Sequence, residues 1–116
     1  MGTFITAVVM VSIWVLGKLS PDRIPLLRGL EEMNVDDDAM KAVCAAFGST
    51  SGAPMLHIAG HTPEAGMPSA PAADMVTIDR EMLADAWRQL NSGGADIDLV
   101  AIGSPHLSLA ELYLID

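Results

Sequence analysis

Two stretches of the sequence place polar side chains directly after an apolar run. In parallel α/β sheets, side chains at the carboxyl ends of strands line the ligand crevice. Imidazole and carboxylate groups in such a crevice can act as general acids or bases, and a hydroxyl group can act as a nucleophile or hydrogen-bond donor. The candidate residues are His57, His61, Thr62 and Glu64 in and after residues 54–60, and Ser104 and His106 after residues 99–102.

Two more specific kinds of site are poorly supported by these residue types. A Ser–His–acid hydrolase needs its serine on a sharp turn flanked by glycines, and Ser104 is followed by Pro105. The three histidines and Glu64 suggest a metal site, but no two histidines have the spacing of ligands on one helix. We therefore predict a polar crevice without a metal. His57, inside its run, is more simply a hydrogen-bonded core or turn residue, and His61 and His106 are the better candidates because turns expose them.

The C-terminal half must supply the elements that position Ser104 and His106. Residues 75–78 and 99–102 are predicted strands, and they flank an amphipathic helix over residues 80–90 that Asp79 caps. Strand, helix and strand joined by short turns predict a parallel βαβ unit. Ser108 and Glu111 have the spacing of a capping box at the start of a further helix.

The N-terminal half begins with an apolar helix, predicted within residues 1–19. Its uncharged run is roughly 15 residues, shorter than the ~20 that span a bilayer, and no basic residue precedes it as in a signal peptide. A buried or interface helix is therefore favoured over a membrane anchor or a signal peptide. An extended segment at residues 24–30 and a helix at residues 39–47 follow, with Asp36 or Asp37 as the cap and Cys44 as a small core residue.

Composition limits the remaining possibilities. The 116 residues are expected to form a single domain, residues 1–116, with a Pro-rich loop at residues 66–73. The formal charge of −9 argues against a nucleic-acid partner. The single cysteine excludes an intrachain disulfide or an all-cysteine metal cluster built by one chain, and it favours a reducing, cytoplasmic setting.

Three motifs, in the same order and at similar spacing, resemble segments of the aconitase X family. They are Gly-Lys-Leu-Ser-Pro-Asp-Arg-Ile-Pro with a following Gly-Leu, Ser-Gly with Leu-His-Ile-Ala-Gly-His-Thr-Pro-Glu-Ala, and Asp-Leu-Val-Ala-Ile-Gly-Ser-Pro-His-Leu-Ser-Leu-Ala-Glu-Leu; they occupy residues 17–30, 51–65 and 98–112. The resemblance covers about residues 16–112 and implies a three-layer α/β/α fold with a small, mostly parallel sheet.

The resemblance also implies hydro-lyase chemistry, because the family includes cis-3-hydroxyproline and phosphomevalonate dehydratases. Those enzymes work with a small swivelling subunit or domain, and several carry an iron–sulfur cluster. By similarity, the expected catalytic residues are His61, Glu64, Ser104 and His106, and the expected substrate-binding residues are Ser51, His57 and Thr62.

Departures from the family pattern shape the functional expectation. Family large subunits are several times longer, and many cluster-bearing relatives have cysteine where this chain has Ser104. We therefore expect no cofactor on this chain and a truncated module without dehydratase activity of its own. The alternatives are a subunit of a split hydro-lyase completed by partner chains, and a module that binds a small molecule or a protein.

The same pattern gives an expectation about assembly. A short sheet leaves unpaired edges, and a helix that is apolar on every face is unsuited to solvent. We expect a homodimer formed through the N-terminal helix and the sheet edge, with a possible small-molecule ligand and no association with nucleic acid or a membrane.

Overall fold

The structure is a computed structural model that describes residues 2–68, 73–101 and 106–114, with only the backbone of residues 2–6. In chain order its elements are α1 (Gly2–Leu19), β1 (Leu26–Leu27), α2 (Asp37–Gly48), β2 (His57–Ile58), a 3₁₀ helix (Pro63–Gly66), α3 (Arg80–Leu90) and α4 (Leu109–Leu112). The fold is thus a set of helices around one short sheet. It agrees with an α/β class, and the three-layer arrangement remains a prediction.

Helix α1 is the centre of the molecule, as its apolar sequence predicts. Its Ile13 is fully buried in a cluster with Val43 and Phe47 of α2 and Ile58 of β2. Its other side, at Val11 and Val15, packs against Ala86 of α3. Among the described residues, no helix is long and apolar enough to cross a membrane.

One glycine allows α1 and the end of α2 to approach closely. A Cβ atom on Gly17 would overlap the Thr50 hydroxyl and lie 2.9 Å from the Phe47 carbonyl oxygen. That hydroxyl donates a hydrogen bond to the Trp14 carbonyl oxygen at 2.8 Å. The close contact between the two helices is therefore possible only because glycine has no side chain at position 17.

A βαβ unit is present, but it lies in the N-terminal half. Strands β1 and β2 pair in parallel, with Leu26 opposite His57 and Leu27 opposite Ile58, and α2 connects them. Helix α2 starts where predicted, because the Asp36 side chain accepts a hydrogen bond from the Ala39 amide at 2.8 Å. This unit orients the polar turn that follows β2.

The predicted βαβ unit of the C-terminal half is wrong over the described residues. Helix α3 forms with Asp79 as its cap, but neither residues 75–78 nor residues 99–101 are in a strand, and Ile102 lies outside the described residues. Met75 is 94% exposed and Leu99 83% exposed. An apolar run predicts that a segment should be buried, but a strand also needs a neighbouring strand with which to pair, and these segments have none among the described residues.

Two smaller expectations have opposite outcomes. The capping box is confirmed: the Ser108 side chain accepts from the Glu111 amide, and the Glu111 carboxylate accepts from the Ser108 amide. The burial predicted for Cys44 is wrong, because the thiol is exposed. Helix α2 turns its Val43 and Phe47 into the core, and Cys44 follows Val43 directly, on a different face.

Candidate functional site

The carboxyl edge of the two-stranded sheet is the candidate site. Because β1 and β2 are parallel, the loops that follow them leave from the same edge. The Ala59 amide donates to the Leu27 carbonyl oxygen at 2.9 Å and extends the pairing by one step. Gly29 and Gly60 then turn the two chains with positive φ angles of 103° and 80°, which favour glycine.

His61 joins the two loops. Its Nε2 atom lies 2.7 Å from the Leu30 carbonyl oxygen, and its side chain is half-buried. A carbonyl oxygen only accepts, so Nε2 must carry the hydrogen of this bond. The Nδ1 atom of the neutral ring then keeps its lone pair, and it is the atom available for proton transfer.

Glu31 is a member of this edge that the sequence analysis missed. Its carboxylate accepts a 2.6 Å hydrogen bond from the Gly29 amide, and a Cβ atom on Gly60 would lie 3.3 Å from the Glu31 Cα. Hydrogen bonds from the amides of Glu31 and Gly29 lower the pKa of this carboxyl group, and the charges of Arg28 and His61 act in the same direction. The sequence signal that could have identified Glu31 is Gly29, two residues before it. A glycine there allows a left-handed turn, which brings the Glu31 carboxylate back to the end of the strand.

Thr62 and Glu64 lie on the same turn but have different environments. The Thr62 hydroxyl accepts from the Ile58 amide at 2.9 Å and lies 3.2 Å from the Ile58 carbonyl oxygen, to which it donates. It therefore closes the end of β2. Glu64 is in the first turn of the 3₁₀ helix and is exposed to solvent, where its carboxylate can meet a ligand.

Two predicted substrate-binding residues are placed differently from this turn. Ser51 precedes β2, and its hydroxyl donates to the Ser20 carbonyl oxygen at 2.6 Å and accepts from the Ala53 amide at 3.1 Å. Its polar atoms thus tie the entry of β2 to the end of α1. His57 is half-buried in β2 itself. The structure therefore brings His61, Thr62 and Glu64 to one turn, keeps His57 in the strand before it and leaves Ser51 on the segment that leads into that strand.

The other two predicted catalytic residues belong to the C-terminal segment. Ser104 lies outside the described residues, so its predicted role stays a prediction. His106 is exposed and immediately precedes the segment that is attached to α2: the Ser108 hydroxyl donates to the Asp38 carboxylate at 2.7 Å. Asp38 is in the first turn of α2, and that turn adjoins the loop after β1.

A polar cluster holds this attachment. Lys41 pairs with Glu111 at 2.5 Å and with Asp38 at 3.2 Å. The Ser108 hydrogen bond and then Lys41 lower the pKa of Asp38, and Lys41 lowers that of Glu111. The hydrogen bond to Glu111 is the main cause that raises the pKa of Lys41. All three side chains are therefore charged near neutral pH.

Two hollows open on opposite ends of the sheet. A cleft of about 90 Å³ at the carboxyl edge is lined by Leu30, Ala39 and Ile58 with mostly apolar neighbours. A larger hollow of about 260 Å³ lies where the chain enters β2, beside Cys44 and Met55. Over the described residues, no group of at least three His, Cys, Asp or Glu side chains could hold a metal ion. The imidazole of His61 and the exposed carboxylate of Glu64 are groups of the described edge whose types can donate or accept protons.

Comparison with known families identifies the family of the chain. Residues 14–88 match the family described as "Aconitase X second domain". The chain belongs to the aconitase X family. The matched aconitase X region contains the last six residues of α1, the whole βαβ unit and most of α3, and it includes His57, His61, Thr62 and Glu64. Ser104 and His106 lie beyond it.

Individual relatives extend the aconitase X match beyond this region. The chain is 42% identical over 106 residues to the cis-3-hydroxy-L-proline dehydratase of Pseudomonas aeruginosa and 36% identical over 104 residues to that of Hypocrea jecorina. It is 32% identical over 101 residues to the phosphomevalonate dehydratase large subunit of Methanothermobacter thermautotrophicus. These matches cover 84%, 84% and 85% of the chain, but only 18%, 17% and 25% of the respective relatives.

Proposed function

We propose that this chain is an aconitase X-type module that does not dehydrate a substrate on its own. The observation that carries the proposal is that several candidate polar atoms already form hydrogen bonds with the chain's own backbone. The hydroxyl groups of Ser51 and Thr62 and one ring nitrogen of His61 are bonded in this way. The matched relatives are about four to six times longer than the region they share with this chain. A complete dehydration site needs groups beyond those at this edge.

Dehydration requires a base that removes a proton from carbon and an acid that protonates the leaving hydroxyl group. In a completed site, His61 would accept the proton at Nδ1, because Nε2 is held by the Leu30 carbonyl oxygen. Glu64, exposed on the same turn, would donate a proton to the leaving hydroxyl group, so that the carbon–oxygen bond breaks and the group departs as water. Ser104 and His106, in the C-terminal segment, are the further catalytic residues that we propose for the completed site.

The residues of this chain do not fit an iron–sulfur cluster of its own. Such clusters are held mainly by cysteine thiolates, and the chain has a single cysteine. Cys44 is exposed on α2 and borders the hollow at the entry of β2, away from the carboxyl edge. We therefore propose that the chain carries no such cofactor by itself, in a reducing, cytoplasmic setting that suits its one free thiol.

The direct test is an assay of the purified chain with cis-3-hydroxy-L-proline, beside the Pseudomonas aeruginosa dehydratase as a positive control. We expect no turnover by the chain, and no iron or sulfide above background in the purified protein. Turnover that is lost in a His61→Gln variant would contradict the proposal and assign catalysis to the carboxyl edge.

The second candidate function is a subunit of a split hydro-lyase, and the partial coverage of the relatives is equally compatible with it. A module that spans 18% of a 42%-identical enzyme could be completed by a separate polypeptide with the remaining sequence. Reconstitution tests this: the chain is mixed with a dehydratase lacking the matched region, and activity is measured. Activity that requires both components, and that falls with Glu64→Gln, would favour this function over the inactive module.

The third candidate is a binding module for a small molecule or protein. The cleft of about 90 Å³ is small and lined mostly by apolar side chains, so a polar ligand would sit on the open edge beside His61 and Glu64. Titration with cis-3-hydroxy-L-proline, followed by histidine ring signals in NMR spectra, tests this function. A shift of the His61 signals without turnover would support binding, and unchanged signals would contradict it for this ligand.

A further inference from the structure

Glu31 lies in the first loop of the carboxyl edge, and its carboxylate turns back onto the strand from which that loop leaves. Its Oε2 atom accepts a hydrogen bond from the Gly29 amide at 2.6 Å. Gly29 has a φ of 103°, a left-handed conformation that favours glycine. The bond and the left-handed glycine together hold residues 29–31 in a tight turn, and the carbonyl group of Leu30 lies in the middle of that turn.

The Leu30 carbonyl oxygen is the acceptor that orients the ring of His61. It accepts a hydrogen bond from the Met33 amide at 3.0 Å and lies 2.7 Å from Nε2 of the His61 ring. A carbonyl oxygen has two lone pairs, and these two donors fill them. The direction in which this carbonyl group points therefore decides where the His61 ring can lie.

The loop after β2 packs against the same glutamate side chain. A Cβ atom on Gly60 would lie 3.3 Å, 3.5 Å and 3.6 Å from Cα, Cβ and Cγ of Glu31, so the backbone just before His61 lies along the stem of this side chain. The His61 amide donates to the Ile58 carbonyl oxygen at 3.0 Å. Glu31 therefore contacts both loops of the edge, one through its carboxylate and the other through its stem.

The charge of Glu31 strengthens this arrangement. Hydrogen bonds from the amides of Glu31 itself and of Gly29 are the main causes that lower the pKa of the carboxyl group, and the charges of Arg28 and His61 act in the same direction. The carboxylate is therefore ionised at neutral pH, and a hydrogen bond to an ionised acceptor is stronger than one between neutral groups. Because the side chain is exposed, its effect comes from this geometry and not from burial.

We propose that Glu31 is the positioning residue of His61. Its carboxylate fixes the turn over residues 29–31, the turn aims the Leu30 carbonyl oxygen at Nε2, and Nδ1 is thereby left to take up a proton. Glu31 acts through a backbone carbonyl group, so it does not itself touch the reacting atoms. This inference rests on the proposed role of His61 as a base, but the effect of Glu31 on the ring can be measured in the chain alone, without any turnover.

The test is the rate at which the hydrogen on Nε2 of His61 exchanges with water, measured by NMR spectroscopy of the nitrogen-15-labelled full chain with its histidine rings neutral. Glu31→Ala removes the acceptor of the Gly29 amide, and it should accelerate this exchange about tenfold, as expected when one hydrogen bond of ordinary strength is lost. Glu31→Gln keeps a side-chain oxygen that can accept from the Gly29 amide, so it should restore most of the protection.

Glu32→Ala is the matched control, because it removes the same charge from an exposed position of the same turn, and it should leave the ring exchange unchanged. Protection of the Phe47 amide in α2 shows that each variant is folded. Equal ring exchange in Glu31→Ala and the unsubstituted chain, or equal acceleration in Glu32→Ala, would overturn the proposal but leave His61 as the proposed base. Loss of Phe47 protection in Glu31→Ala would indicate a general structural role and would also overturn it. A ring with its hydrogen on Nδ1 in the unsubstituted chain would overturn both the positioning and the proposed base.

Discussion

The Ser108 hydroxyl donates to the Asp38 carboxylate at 2.7 Å, and this bond joins α4 to α2 across 70 residues of sequence. Lys41 strengthens the junction, because its ammonium group reaches both Asp38 and Glu111. The contact is partly exposed, so its strength depends on the charges of these groups more than on burial. It fixes the position of α4 and of the exposed His106 that precedes this helix.

The junction should be sensitive to acid. The folded-state pKa values of Asp38 and Glu111 are lowered below 3.8 and 4.5, so the stabilisation is present above those values and is lost as the pH falls through the folded-state pKa values. The raised pKa of Lys41 has the opposite sign: its contribution is complete below pH 10.5 and is lost at higher pH. We expect α4 to detach below about pH 4 and again above about pH 10.5.

Amide hydrogen exchange measures this detachment. The Glu111 and Leu112 amides are bonded to Ser108, and their protection should fall on acidification before that of the Phe47 amide in α2. Lys41→Met removes the cation that both carboxylates share, so it should abolish the loss of protection at alkaline pH and weaken the loss on acidification. Unchanged protection of Glu111 down to pH 3 would argue that the charges do not hold α4.

The close approach at Gly17 gives a prediction with an internal control. Gly17→Ala should destabilise the fold by about 1–3 kcal/mol, the usual cost of forcing an atom into a packed site, because the new methyl group meets the Thr50 hydroxyl. Gly48→Ala should be neutral or stabilising by up to about 1 kcal/mol, because Gly48 is in a helix with nothing within 4 Å of its Cβ position. Chemical denaturation with circular dichroism compares the two.

The sheet should be held mainly by its one buried strand residue. Ile58→Ala should cost about 2–5 kcal/mol, because Ile58 is 1% exposed and contacts the cluster of Ile13, Val43 and Phe47. Ile24→Ala, at a position 48% exposed, should change stability by less than about 0.5 kcal/mol. The same denaturation experiment separates them, and an equal cost at both positions would contradict the packing around α1.

Local signals in the sequence predicted individual elements well. Asp36, Asp79 and Ser108 are all at the caps that their residue types predict, because capping depends on neighbours within three residues. The pairing of strands is not local, and here the prediction failed: the apolar segments around Met75 and Leu99 were as strand-like as residues 54–60. The chain paired β2 with β1 and left the other two exposed.

The candidate site was predicted only in part, because some of its contacts are local in sequence and others depend on the pairing of the strands. The turn from His57 to Glu64 is one short segment, so the sequence alone could place its polar side chains together. The approach of Glu31 to His61 depends on the parallel pairing of β1 with β2 and on two left-handed glycines, Gly29 and Gly60. The roles of Ser51 and Thr62 as backbone ties also required the folded geometry, since a hydroxyl group gives no sequence signal of its bonding partner.

The most direct test of the carboxyl edge is the tautomer of His61. Because Nε2 lies 2.7 Å from the Leu30 carbonyl oxygen, the neutral ring should carry its hydrogen on Nε2, with Nδ1 unprotonated. Nitrogen-15 NMR spectra distinguish the two tautomers, and the exposed His106 is the internal control for a ring without this carbonyl partner. His61→Gln should increase the exchange rate of the Gly29 amide by loosening the contact between the two loops. A His61 ring with its hydrogen on Nδ1 would remove the basis for assigning proton transfer to that atom.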